Sequence, residues 1–219
     1  MKQTRTLLMA VIAVALVTTG CAKKQLLEEK DRQIADLRDN VQQLQEKNDE
    51  LESQIMTQRN MNNELENTLA DLRSKNDVLI DERDQLTHIT LDGSANFATA
   101  SANLTKEAKQ VLDRIAAVLQ NYPDRWVLIE GHADKRPIDE GLKWKYPSNW
   151  ELSTARANAV LHYLLDHSTL DPSHVKAVGL GIYHPADEGS TPEALAKNRR
   201  VVIVVGSSVN VEKRMASKE

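Results

Sequence analysis

From Ala22 to Leu91 the chain contains neither glycine nor proline, and a seven-residue apolar repeat runs through it without a slip. The a positions are Leu27, Ile34, Val41, Asn48, Ile55, Asn62, Leu69, Asn76 and Arg83. The d positions are Lys30, Leu37, Leu44, Leu51, Gln58, Leu65, Leu72, Leu79 and Leu86. A repeat of this length restricts the segment to a long helix that hides one seam. Leucine at d with Ile or Val at a favours a parallel two-stranded coil, so the pattern predicts a coiled coil over 27–88 and a parallel homodimer. Asn48, Asn62 and Asn76 fall at alternate a positions, where a buried amide weakens a coil but fixes its register. Glu28, Glu29, Asp36 and Arg38 read as the solvated face. At about 1.5 Å per residue, Leu27–Leu86 would make a rod of roughly 90 Å. A single, partly frayed helix is the alternative, and the number of sustained heptads argues against it.

The rod follows what reads as an export signal, residues 1–20. Lys2 and Arg5 supply the positive end and Leu7–Val17 is an apolar run of 11 residues, short of the roughly 20 a spanning helix needs. Thr18-Thr19-Gly20-Cys21 follows, and Cys21 is the only cysteine, so no intrachain disulfide can form. A lone cysteine in this place resembles the acceptor of a bacterial lipoprotein, with Thr18 where leucine is usual. An ordinary cleaved signal with an incidental cysteine is the other reading. If Cys21 is acylated, residues 21–26 are a lipidated N-terminus and short linker, and several acyl chains suffice for stable anchoring. Ala22 stands where an inner-membrane retention Asp would be, so the resemblance implies the outer membrane, facing the periplasm. The net charge of −4 and pI of about 5.9 leave nucleic acid without support as a partner. Aromatic residues are 4% and charged ones 27% of the chain, which suits a long segment that enters no globular core.

Helical periodicity ends near His88 and a domain is expected over 91–206. Thr105 is a good N-cap for a helix through Gln120, with Ala108, Val111, Leu112, Ile115 and Leu119 inward. Trp126–Glu130 reads as a strand, and Val175–Leu180 and Val201–Val205 as two more. Asn149–Leu164 reads as a helix with a capping box of Ser148 and Glu151. Strands alternating with helices predict an α/β domain, a two-layer sandwich. Residues 207–219 read as a loose, flexible tail.

Arg156 is the odd residue of that helix. It falls within the apolar stripe of Leu152, Ala155, Ala159, Val160, Tyr163 and Leu164. A guanidinium on an inward face needs an anion, from the protein itself or from a ligand. Asn149-x-x-Leu152-Ser153-x-x-Arg156-Ala157-x-x-Val160-x-x-x-Leu164 resembles the signature of OmpA-like peptidoglycan-binding domains. Phe97-x-x-x-Ser101-Ala102-x-Leu104-Thr105, Gly131-His132-Ala133-Asp134 and Asn198-Arg199-Arg200-Val201 resemble further segments of the same family. Asp134-x-x-Pro137-Ile138 and Tyr146-Pro147-Ser148-Asn149-Trp150-Glu151-Leu152-Ser153 are similar to one subgroup, the C-terminal domain of the flagellar stator B subunit. That subunit's membrane helix carries an ion-conducting Asp, whereas Thr6–Gly20 holds no carboxylate. The resemblance therefore reaches the domain and not ion-driven work.

The resemblance implies an OmpA-like fold, a two-layer βαβαβ sandwich with a mixed sheet, and a ligand, the diaminopimelate of the peptidoglycan stem peptide. Its side chain ends in an ammonium and a carboxylate on one carbon. By resemblance Asp134 takes the ammonium and Arg156 the carboxylate, Asn149 adds amide hydrogen bonds, Leu152 walls the pocket, and Arg200 is a weaker contributor. Ala98 replaces an Asp the family often has, leaving backbone groups or Thr99 for any contact there. Asp134 could instead be a strand-end carboxylate in a turn, and His132 reads as a packed strand residue. No cofactor is expected. His132, Asp134, His184 and Asp187 match no standard zinc spacing, and no phosphate loop or nucleophile signature occurs, so the reading is not an enzyme. The expected role is a lipid-anchored tether between outer membrane and cell wall. The alternative is an accessory of an envelope machine, motor or secretion associated, whose coil recruits partners while wall binding only positions it.

Overall fold

The computed structural model describes residues 2–70, 78–98 and 101–217, without the side chains of 2–22 and of residue 94. The acceptor role of Cys21, the seam positions Leu72 and Asn76, and Thr99 lie outside the described residues. The chain divides into two units, Met1–Gln54 and Ile55–Glu219.

Helix α1 spans Lys2–Thr68. Within the first unit its seam faces solvent in the single chain: Leu37 and Leu44 are 62% and 69% exposed, and Leu27, Ile34, Val41 and Leu51 are exposed as well. From Gln58 onward the same seam is covered. Gln58, Met61, Asn62, Leu65 and Leu69 are buried, and the apolar three join the main core. Polar seam residues find partners on the sheet. The Gln58 amide donates to the Thr87 hydroxyl and, at 3.3 Å, to the Val205 carbonyl. The Asn62 amide donates to Glu82 at 2.7 Å, and the Thr87 hydroxyl donates to Asn62 Oδ1. Asn62 is therefore not a coil-register residue; its hydrogen-bonding capacity is taken within its own domain.

The expected coil over 27–88 is corrected at its C-terminal end. The helix stops at Thr68, and Leu79, Arg83 and Leu86 lie in a β-hairpin of β1 (Val78–Arg83) and β2 (Leu86–Asp92). The domain accordingly begins well before residue 91. Alternation decides the outcome: Val78 and Ile80 are buried while Leu79 is 54% exposed, the period of a strand. Asp84 and Gln85 turn the hairpin with φ of 55° and 59°, a pair of left-handed residues as a two-residue hairpin of this hand requires. Neither is glycine, which is why the turn carries no obvious sign in the sequence.

The sheet has five strands in the order β1-β2-β5-β3-β4, with β3 (Trp126–Gly131), β4 (Val175–Gly179) and β5 (Arg200–Gly206). Only β3 and β4 are parallel; the other neighbours are antiparallel. Helices α2 (Lys106–Leu119) and α3 (Asn149–Asp166) bury their apolar residues in the same core as Ile89, Leu91, Val127, Ile129, Val201, Ile203 and Val205. Thr105 caps α2 by accepting from the Ala108 N–H, as its sequence predicts. Helix α4 (Pro192–Asn198) precedes β5.

The opposite face of the sheet is also covered, and this corrects the loose tail expected from 207. Residues Ser208–Ala216 form helix α5, capped by Ser207. Val211 is fully buried with Leu86, Leu128, Val202 and Val204. Arg214 reaches Glu130 on β3 with two hydrogen bonds of 2.8 and 2.9 Å. A buried carboxylate on this face calls for a cation, and the tail supplies it.

Candidate functional site

The site is built where β3 ends and α3 begins. A Cβ at Gly131 would lie 2.0 Å from the Ser153 carbonyl oxygen, so only glycine lets α3 lie this close to the strand end. The start of α3 is held by the capping box read from the sequence. Ser148 Oγ accepts from the Trp150 N–H at 3.1 Å, and Glu151 accepts from the Ser148 N–H at 2.8 Å. Two turns on, Arg156 is turned inward and is only 7% exposed.

Arg156 Nε donates to the Ser101 carbonyl at 3.0 Å, and its guanidinium sits 5.2 Å from the centre of the Phe97 ring. Among the described residues no carboxylate lies within ion-pair distance of it. Burial and then the neighbouring Arg199 hold its pKa below the ordinary arginine value, against opposing pulls from Tyr146 and Asp134. An arginine stays charged regardless. The result is a buried cation that is hydrogen-bonded but not neutralised.

Asp134 is the opposite case. It is 5% exposed, and its Oδ2 meets Arg136 Nη2 and Arg199 Nη1, each at 2.7 Å. Its Oδ1 accepts from the Arg136 backbone N–H at 2.9 Å. Burial pulls its pKa upward, but the bonds from Arg136 and Arg199 win and hold the carboxyl below its usual range. A carboxylate offers about four acceptor positions. Most of the crowding here is on Oδ2, and Oδ1 accepts one hydrogen bond, from the Arg136 backbone.

Asn149 ties the loop to the helix, its amide donating to the Arg136 carbonyl at 2.9 Å and the Asp134 carbonyl at 3.4 Å. An open cleft of about 410 Å³ is lined by Phe97, Ala98, Asp134, Arg136, Ile138, Tyr146, Asn149, Leu152, Arg156 and Arg199, among others. The structure thus brings Asp134, Asn149, Leu152 and Arg156 to one cavity.

It does not bring Arg200 there. Arg200 donates to the His184 carbonyl at 3.1 Å and faces Glu130 and Arg214 on the far side of the sheet. Burial pushes its pKa down to about 10. Of this neighbouring pair, it is Arg199 that lines the cleft. Strand parity carries the signal: Val201 and Ile203 face the helices, so residue 199 belongs to their face and residue 200 does not. His132 is packed against Glu130, 3.7 Å away, on that same far side. Among the described residues no three His, Cys, Asp or Glu side chains gather as a metal set. Chemically, three guanidiniums and two carboxylates, Asp134 and Asp139, line one hollow. Such a lining suits a small zwitterion with an excess of negative charge.

A mixed-sheet α/β domain with an arginine-rich cleft at a strand end defines the class. Residues 96–199 match the OmpA family, and the chain carries an OmpA-like domain there. The chain is 33% identical over 117 residues to Motility protein B of Bacillus subtilis, an alignment covering 53% of this chain and 44% of that one. It is 37% identical over 113 residues to the peptidoglycan-binding protein ArfA of Mycobacterium tuberculosis, covering 52% of this chain and 32% of that one. The structure of the cell wall anchor of the T6SS from Pseudomonas aeruginosa matches with a TM-score of 0.59 and 35% identity, over 66% of this chain and 97% of that one. The chain spans less than half the length of these two curated relatives.

Proposed function

We propose that the chain binds peptidoglycan without covalent attachment, gripping the diaminopimelate of the stem peptide in the cleft. One observation carries the reading: Arg156 is buried at the cleft with no carboxylate to neutralise it among the described residues. The ligand's carboxylate would complete it with a two-pronged bond, and Asp134 Oδ1 would take the ammonium. Lysine in the stem lacks that carboxylate and would leave Arg156 as it stands, a strong basis for discrimination. The names of ArfA and of the T6SS wall anchor support the same partner. This is binding and not catalysis, and it needs no cofactor. The test is pelleting of the full chain with diaminopimelate-type cell walls, competed by free diaminopimelate or free lysine. Release by diaminopimelate alone is the expected result; equal release by both would overturn the assignment.

Acylation at Cys21 would then make the protein a tether between the outer membrane and the wall. The alternative, an envelope-machine accessory, draws support from the likeness to Motility protein B and to the T6SS anchor. Comparing a protein lacking residues 27–54 with an Asp134→Ala/Arg156→Ala protein separates them. A phenotype from the first deletion alone favours the machine.

The exposed part of the seam supports a parallel homodimer, now confined to residues up to about Met56. Leu37→Asp with Leu44→Asp is expected to convert a dimer to a monomer in sedimentation equilibrium while leaving wall binding by each domain in place. A parent that sediments as a monomer would remove the coil.

A further inference from the structure

We propose that Trp144, together with Trp150 stacked on Tyr183, forms a sugar-binding rim beside the cleft that takes the glycan strand to which the stem peptide is joined. The proposal rests on the stem-peptide reading of the cleft. The chain holds three tryptophans, four tyrosines and one phenylalanine. Trp126 is occupied, stacked on His174 at 5.2 Å and covered by Lys176. The other two tryptophans are not hidden: Trp144 is 81% and Trp150 46% exposed.

Their positions follow the cleft. Trp144 stands between Leu142 and Tyr146, both of which line it, and Trp150 follows Asn149, which does too. Trp150 and Tyr183 stack with ring centres 5.0 Å apart and planes 23° from parallel, and both remain exposed. Gly181, at φ +54°, shapes the loop that carries Tyr183. A Cβ there would be strained and would press to 3.3 Å from Trp150 Cδ2. Trp144 has no ring or cation partner among the described residues, and Lys143 and Lys145 flank it.

Large aromatic side chains left in water beside a cleft mark a binding surface. The face of a pyranose presents C–H groups of slight positive charge, which complement the negative face of an indole. Flanking ammonium groups can donate to sugar hydroxyl and amide oxygens. Continuity names the occupant: the stem peptide is joined to a sugar at its amino end, two residues before the diaminopimelate, which keeps a pyranose within roughly 10 Å of the gripped residue.

The test is calorimetric titration of the full chain with the disaccharide–tetrapeptide of diaminopimelate-type walls and with the same tetrapeptide lacking its sugars. The sugar-bearing ligand is expected to bind about tenfold tighter and to be the one that quenches tryptophan emission. Trp144→Ala should bring the two affinities together without weakening the bare tetrapeptide. Equal affinities in the parent, or a Trp144→Ala protein that keeps the difference or weakens both ligands alike, would overturn the rim. Failure of the tetrapeptide to bind the parent would remove the cleft reading instead. In that event glycan strands stripped of peptide judge the rim alone, by retaining the parent and not Trp144→Ala, and the absence of that difference overturns it.

Discussion

Arg156→Ala is expected to lose pelleting with diaminopimelate-type cell walls while remaining folded. Truncating one partner of a desolvated, hydrogen-bonded charge pair costs about 2–5 kcal/mol of binding, roughly 30-fold or more in affinity. The stability effect should be small. Arg156 neutralises no carboxylate among the described residues, so its removal orphans only the Ser101 carbonyl and a contact with the Phe97 ring. It also relieves the desolvation of a buried cation. The melting temperature should therefore move by no more than a few degrees. Arg156→Lys should bind poorly as well, because an ammonium cannot make the two parallel bonds of a guanidinium. Undiminished pelleting of Arg156→Ala, with its fold checked by circular dichroism, would refute the role given to this residue.

The largest expected stability loss lies on the other face of the sheet. Glu130 is fully buried, and Arg214 of α5 holds both its oxygens. Burial alone would raise its pKa, but the adjacent His132 ring and the two hydrogen bonds from Arg214 outweigh this and hold it far below the usual carboxylate range. Glu130→Ala should cost about 3–5 kcal/mol, because Arg214 and the histidine beside it lose their anion in a dry place. A depressed folded-state pKa also fixes the acid response. The contribution of Glu130 is complete at neutral pH and begins to fade below about pH 4.3, the unfolded value. It disappears as pH falls toward the folded value. Urea unfolding of the parent should thus weaken steeply below pH 4, and Glu130→Ala should flatten that slope while wall binding survives at temperatures where the variant is folded. A loss under about 1 kcal/mol at pH 7 would mean that α5 is not held by this pair.

Much of the site could be read from residues because its logic is local. The capping box of Ser148 and Glu151 sets the start of α3, and helical spacing turns Arg156 inward, whereas the close approach that requires Gly131 shows only in the fold. The first two are short-range constraints; Asp134, Asn149 and Leu152 were named through the family resemblance, and they line one hollow with Arg156. Arg199 needed the facing of β5, which depends on which side of a doubly covered strand meets the helices. A strand buried on both faces shows no alternation to read. The hairpin of β1 and β2 was hidden by a stronger local signal. Leu79, Arg83 and Leu86 continue the heptad, the turn has no glycine, and only the pairing of β2 with β5 rewards the extended form. Helix α5 was hidden in the opposite way, since its nine residues are mostly polar and one valine and one arginine fix it in place.

A helix seated on a sheet by leucines alone can roll like a log on a smooth deck. The base of α1 cannot, because Gln58 and Asn62 mesh with Thr87, Glu82 and the Val205 carbonyl like teeth. Turning it about its long axis would strip the buried Gln58 and Asn62 amides of their partners. Torque applied to that base is handed straight to β2 and β5, and β5 begins one residue after the arginine that steadies Asp134.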